Sequence, residues 1–369
     1  MSEQKNVPTY WSYLKLEQLL SLQNGLDKDE SEITPDELHF ITVHQTLELW
    51  IKLILSELRL ARDHLEAAVV PEQHIPDVVH HMRRIIEILK HSVNQFDVVE
   101  TLTARDFLGF RDKLFPASGF QSFQMREMEI ILGLEESKRA HLGKVSPLKY
   151  LEELAPRSKG GEQAWSRIAN ATLETTLRSA LHKWLYRTPI HGSSPQDPGD
   201  EEIVDKFLSD YLKAWSDRAD IQMQQMVDTR AAPEDAVRKR YQESVDYVSG
   251  FLQATDIDES VRVEARRVRA AIVFVESYRE LPLLAWPRLL LDTAVELEQR
   301  LLLFRQRHAR MAERIIGRRV GTGGSAGVDY LDKTSQSRIF SDLWSVRTVL
   351  LCKESLPALE NTEAYAFAH

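Results

Sequence analysis

Apolar residues recur along most of this chain three to four positions apart, and alternation with a period of two is nearly absent. Proline is missing from 77–115, 234–281 and 288–356. Long helices explain that, because an internal proline removes a hydrogen bond and clashes with the preceding turn. Thr34-Pro35-Asp36-Glu37 joins a capping hydroxyl, a proline suited to the first helical position and a carboxylate able to complete a capping box. A helix is therefore expected from Asp36 to Ala67. Ser118 and Gln121 form a similar box for a helix running through Leu132 to Gly133, and Ser146-Pro147 opens another. Trp286-Pro287 precedes a long helix that Gly317 is placed to terminate. Two breaks stand out. Thr188 to Asp200, containing Gly-Ser-Ser-Pro-Gln-Asp-Pro-Gly, is expected to be a mobile loop or an insertion (188–205), and a second break lies at Arg157 to Gly161. The charged runs Asp63–Glu66 and Glu259–Arg269 read as solvated helix faces. With no internal repeat and no strong linker, the expectation is one all-α domain over residues 1–369, with insertions.

Successive residues of an ideal helix turn by about 100°. Leu290, Leu297, Leu301, Phe304, Met311, Ala312 and Ile315 then fall within about 60° of His308, with Arg305 at the edge of the sector. The same construction puts Phe40, Ile41, Leu47 and Ile51 around His44, with Glu48 one turn on. Two readings fit such a histidine. It is a core imidazole bonded to a carbonyl or carboxylate, or a neutral imidazole offered to a metal or a proton transfer. The other ten histidines sit on mixed or polar faces and read as surface.

Beyond His308, Gly321-Thr-Gly-Gly-Ser-Ala-Gly327 holds four of the chain's 15 glycines. It lacks the lysine of a phosphate loop and follows a helix rather than a strand, so it is no dinucleotide fingerprint. It reads as a linker, or as a loop bringing backbone groups and the Thr322 hydroxyl to a small ligand. Arg126 shares a helix face with Gly119, Ser122 and Gly133, leaving room for an anion; a plain pairing with Glu127 or Glu129 is the other reading. Tyr10 and Tyr13 line a pocket or staple an N-terminal helix to the core.

Composition narrows the classes. The 47 basic and 56 acidic residues give −9, which argues against a nucleic-acid binder. A single cysteine, Cys352, excludes an internal disulfide, a cysteine-rich zinc site and a Cys-x-x-Cys-His haem attachment. The polar stretch Met1–Thr9 is not expected to be a signal peptide, and no run is apolar enough for a membrane span, so a cytoplasmic protein without a membrane partner is expected.

Six ordered blocks together resemble the tryptophan 2,3-dioxygenase family. They are Tyr10-Trp-Ser-Tyr13-Leu-Lys-Leu, Phe40-Ile-Thr-Val-His44-Gln-Thr-Leu-Glu-Leu-Trp50 and Ser118-Gly-Phe-Gln-Ser-Phe-Gln-Met-Arg126. His308-Ala-Arg-Met-Ala-Glu-Arg-Ile-Ile-Gly317, the glycine run and Leu343-Trp-Ser-Val-Arg-Thr complete the set. The resemblance implies a helical haem-dioxygenase-like bundle holding haem b (iron protoporphyrin IX), a homotetramer of tryptophan catabolism on the kynurenine pathway. It implies cleavage of the indole C2–C3 bond of L-tryptophan by O2 to N-formylkynurenine. It assigns the axial iron ligand to His308 and the catalytic distal histidine to His44, read here as orienting the indole rather than as an obligate base. Arg126 matches the carboxylate-binding arginine, Thr322 the group near the ammonium, and Phe40 an aromatic of the indole pocket. Tyr10, Tyr13 and Leu14 match residues of an N-terminal arm (1–30) that reaches a neighbouring subunit's site. Leu-Leu-Leu-Phe-Arg-Gln-Arg before His308 lacks the expected tryptophan, and Met125 and Glu127 replace more apolar or aromatic neighbours of Arg126. Two alternatives follow: a diverged oxygenase of a substituted tryptophan, forming an oxindole, and a haem-binding sensor without turnover.

Overall fold

In a computed structural model the Thr34 hydroxyl accepts from the Glu37 N–H at 3.2 Å and starts a helix over Pro35–Glu66. The reciprocal half of the box is not made. Glu37 turns its buried carboxylate to Lys113, 3.0 Å away, because a charged partner satisfies it better than a second amide would. Ser118 and Gln121 do form a box, but it opens only a single 3-10 turn, Gly119–Gln121. Ser122 then caps a separate helix, Phe123–Leu132, which Gly133 closes. Gly317, at φ +59°, ends the His308 helix as expected. Trp286-Pro287 lies inside that helix's first turn rather than before it.

The structure describes residues 7–26, 29–71, 73–141, 145–229 and 232–367. Among them are fifteen α-helices and no sheet. The first are α1 (Tyr10–Tyr13), α2 (Leu16–Leu19), α3 (Pro35–Glu66), α4 (His74–Val99) and α5 (Ala104–Leu114). Next come α6 (Phe123–Leu132), α7 (Pro147–Leu154), α8 (Gly161–Ala171), α9 (Leu177–Arg187) and α10 (Asp200–Asp228). The last are α11 (Glu234–Leu252), α12 (Arg262–Ser277), α13 (Ala285–Ile316), α14 (Val328–Thr334) and α15 (Ser341–Val349). Helix α4 lies between α3 and α13 and buries Val78, Met82, Ile85, Ile86 and Leu89. A main apolar core runs through α3, α4, α6, α9, α12 and α13. A smaller aromatic one, with Phe96, Phe107, Phe110 and Phe304, gathers where α3, α4, α5 and α13 meet.

Three surface expectations need correction. The segment 188–200 is pinned, because the Arg267 guanidinium donates to the carbonyls of Thr188 and Ser193 and to Asp200. The Tyr365 hydroxyl also accepts from Gly192 N–H and donates to the Pro189 carbonyl. For the same reason the run Glu259–Arg269 is not wholly solvated: Arg267 is buried on Asp200, and Arg269 is buried between Asp256 and Asp342. Of the ten histidines read as surface, His80, His91 and His141 are exposed, whereas His39, His64, His74, His81, His182 and His191 are half-buried. His369 and residues 1–6 of the N-terminal arm lie outside the described residues. Among the described residues no helix is long and apolar enough to cross a membrane.

Candidate active site

Both histidine faces point into one cavity, about 870 Å³ with its mouth, beside the aromatic core. Helix α3 contributes Phe40 and His44, and α13 faces them with His308, Met311 and Ile315. Helix α5 adds Phe107 and Arg111, and the turn Ser118–Phe120 forms a further wall. Thr322 and Ser325 of the glycine loop, with Tyr330 of α14, close the remainder.

Helical geometry fixes the state of His44. Its Nδ1 lies 2.7 Å from the Phe40 carbonyl one turn earlier. A carbonyl only accepts, so Nδ1 carries the proton and Nε2 keeps its lone pair. Burial pushes this imidazole below its ordinary pKa, against the pull of the Phe40 carbonyl and of Glu48, so the neutral form prevails. Phe40 packs on the ring at 3.9 Å between centroids and is itself held by Phe107 and Phe110.

His308 differs in having no hydrogen-bond partner among the described residues. Phe96 stacks on it almost parallel, at 7° and 5.5 Å. Burial, helped by the proximity of His44, pushes its pKa down to about 4. A neutral imidazole on an apolar wall with an unclaimed nitrogen suits a metal-centred planar cofactor, because only the unprotonated ring can ligate.

The glycine loop is bound tightly to the neighbouring wall. Thr322 donates its hydroxyl to the Ala117 carbonyl, leaving its oxygen free to accept from a ligand. A Cβ on Gly323 would stand 2.5 Å from Phe120 Cε1 and 2.8 Å from Ser118 Cβ. Only glycine allows this approach, which is why the loop can seal the turn 118–120.

Arg126 is buried and is not among the residues that line the cavity; its guanidinium lies 3.0 Å from Glu129, the plain pairing that sequence had left open, and its Nε is buried without a partner. The arginine facing the cavity is Arg111. One of its terminal nitrogens donates to the Val320 carbonyl at 2.7 Å, just ahead of the glycine loop. Its buried Nε has no partner, and no described carboxylate lies within ion-pair distance. The sequence carried a signal for it. Ala104, Phe107, Leu108 and Leu114 fall within about 60° of Arg111 on the wheel, so it interrupts an apolar stripe as His308 does. The neighbouring Asp112 makes it look like one half of a surface pair instead. Phe107 and Tyr330 were also missed, since an aromatic at helical spacing reads as core.

Tyr10, Tyr13 and Leu14 do not reach this cavity in their own chain. Helix α1 buries none of its residues, and Tyr10 and Tyr13 are 77% and 80% exposed.

The tryptophan 2,3-dioxygenase family profile matches residues 2–350. A tryptophan 2,3-dioxygenase of Sorangium cellulosum is 46% identical over 366 residues, covering 97% of this chain and 87% of its own length. Tryptophan 2,3-dioxygenase 2 of Ralstonia nicotianae is 46% identical over 366 residues, covering 98% of each chain. A more distant tryptophan 2,3-dioxygenase, from Alteromonas mediterranea, is 32% identical over 374 residues, covering 96% of each. With the profile spanning nearly the whole sequence and these relatives aligned end to end, the chain belongs to the tryptophan 2,3-dioxygenase family.

Proposed function

We propose that this protein is a haem b-dependent dioxygenase that cleaves the indole C2–C3 bond of L-tryptophan, placing both atoms of O2 in N-formylkynurenine. The observation that carries the reading is one apolar cavity holding two neutral histidines from different helices and an arginine with spare donors. The residues present fit the cofactor. His308 would hold the iron through its unclaimed nitrogen, in a cavity that Met311 and Ile315 also line. When bound, the haem supplies the dioxygen chemistry.

The chain's own residues bind and orient. Arg111 takes the substrate carboxylate on its free donors, in place of the role the resemblance gave Arg126. The Thr322 oxygen accepts from the ammonium, and Phe40 packs on the indole. Nε2 of His44 accepts the indole N–H while Nδ1 keeps its proton for the Phe40 carbonyl. His44 therefore fixes the ring's azimuth and does not have to remove a proton. Sealing of the loop against Ser118–Phe120 excludes water from the amino-acid end.

In the cytoplasm, a reducing compartment suited to a chain whose one cysteine is Cys352, we place the enzyme as a homotetramer. The exposed Tyr10, Trp11 and Tyr13 support that, as side chains available to a neighbouring subunit.

Reduced protein given L-tryptophan and isotopically labelled dioxygen tests the chemistry. Both labelled atoms in a ring-opened product are expected. A single labelled atom in a closed ring would favour the oxindole-forming reading, and haem uptake without product a sensor. His308→Ala protein is expected to lose haem, and retention would overturn the ligand assignment.

A further inference from the structure

Behind the cavity, outside its lining, stands a carboxylate that the proposed chemistry does not use. Glu129 on α6 is 2% exposed, and three buried guanidiniums surround it. Arg305 donates from Nη2 to Oε1 at 2.8 Å, Arg139 from Nη1 to Oε2 at 2.7 Å, and Arg126 Nη1 lies 3.0 Å from Oε2. Two of these guanidiniums also hold a backbone carbonyl. The other terminal nitrogen of Arg305 donates to the Thr334 carbonyl at the end of α14, at 3.1 Å. That of Arg139 donates to the Leu134 carbonyl, also at 3.1 Å.

The elements tied together are three walls of the cavity. Helix α6 continues from the Ser118–Phe120 turn. Helix α13 carries Arg305 one turn before His308. Helix α14 begins where the glycine loop ends, and its Tyr330 lines the cavity.

We propose that Glu129 is a positioning residue. Through Arg305 and the Thr334 carbonyl it holds the Gly321–Gly327 loop and the His308 wall in register with Ser118–Phe120, so that the loop is preformed for the amino-acid end of the substrate. Apolar contacts between these helices would tolerate sliding. A buried carboxylate shared by three guanidiniums does not, because any displacement leaves a charge unpaired where water cannot replace the partner. Burial alone would raise the Glu129 carboxyl, but Arg126, Arg305 and Arg139 outweigh it and hold it below the usual carboxylate range, which favours the charged form. The link itself stands on these contacts. Only the statement of what the loop grips rests on the tryptophan-dioxygenase reading.

Glu129→Gln keeps the shape and removes the charge. Arg305→Lys keeps the charge and gives up the two-pronged link, and it carries the test alone if Glu129→Gln does not fold. Backbone hydrogen exchange on the full-length protein without substrate is the first measurement. Amides of 321–334 are expected to exchange about tenfold faster or more, while those of 78–89 stay within about twofold. Uniform acceleration along the chain, or none in 321–334, would overturn the proposal by reducing Glu129 to general stability. Steady-state kinetics is the second measurement: KM for L-tryptophan should rise about tenfold with kcat within about threefold, and a fall in kcat at unchanged KM counts against the link. If the unaltered protein shows no turnover, the functional reading fails while the exchange result still decides this one.

Discussion

Arg111 and Arg126 lie in the same part of the fold and meet opposite fates. Arg111 faces an apolar cavity with a buried, unpartnered Nε and one contact to a backbone carbonyl. Arg126 lies in an ion cluster 3.0 Å from Glu129, outside the cavity lining, although its Nε too is buried without a partner. What separates the two is the cavity that only Arg111 lines, and small neighbours along the sequence do not reveal which space a guanidinium faces.

That contrast is open to breakage. Arg111→Met should cost the most in function. Loss of a charge-assisted grip on a carboxylate, worth roughly 2–4 kcal/mol, corresponds to a fall of roughly 30- to 1,000-fold in kcat/KM, with an unchanged circular dichroism spectrum. If Arg111→Met were nearly silent and Arg126→Met abolished substrate binding in a folded protein, the two roles would have to be exchanged. Arg126→Met should instead show in stability, by about 1–2 kcal/mol in denaturant unfolding, since Glu129 loses one of its three guanidiniums and keeps two. Gly323→Ala comes next. Its methyl would press on Phe120 and Ser118, and strain of about 1–2 kcal/mol should appear as a several-fold higher KM with little change in kcat. An unchanged KM would show that the loop does not close on that wall.

The smallest effect is that of pH. Burial lowers the pKa of His44 from the ordinary 6.5. Its folded pKa thus lies below its unfolded one, so the stability of the neutral form is complete above about 6.5 and is lost as pH falls beneath it. KM for L-tryptophan should accordingly be flat from pH 8 down to about 6.5 and rise only at lower pH, when Nε2 becomes protonated. A rise beginning above pH 7 would mean that His44 is not shielded.

Much of this was legible in one dimension. The apolar stripes through His44 and His308 lie where periodicity put them, and both open on the same cavity. Capping residues predicted the start of α3 and the end of α13 to within a residue. The failures share a cause. Glu37, Arg267 and Arg269 all pair with groups far along the chain, and no local pattern encodes such a pairing. The segment 188–200 looked loose because its composition is that of a turn, yet two side chains from other helices hold it.

By itself, then, the sequence determined the helical class, the main helix boundaries and which faces are apolar, because backbone hydrogen bonding and side-chain periodicity act over a few residues. Its ordered motifs also sufficed to indicate the family. Tertiary structure alone decided that residues 44 and 308 share one cavity, that Arg111 rather than Arg126 faces it, and that a buried carboxylate ties its walls together. Charge satisfaction in a low-dielectric interior depends on distances in space, and only the folded chain sets those distances.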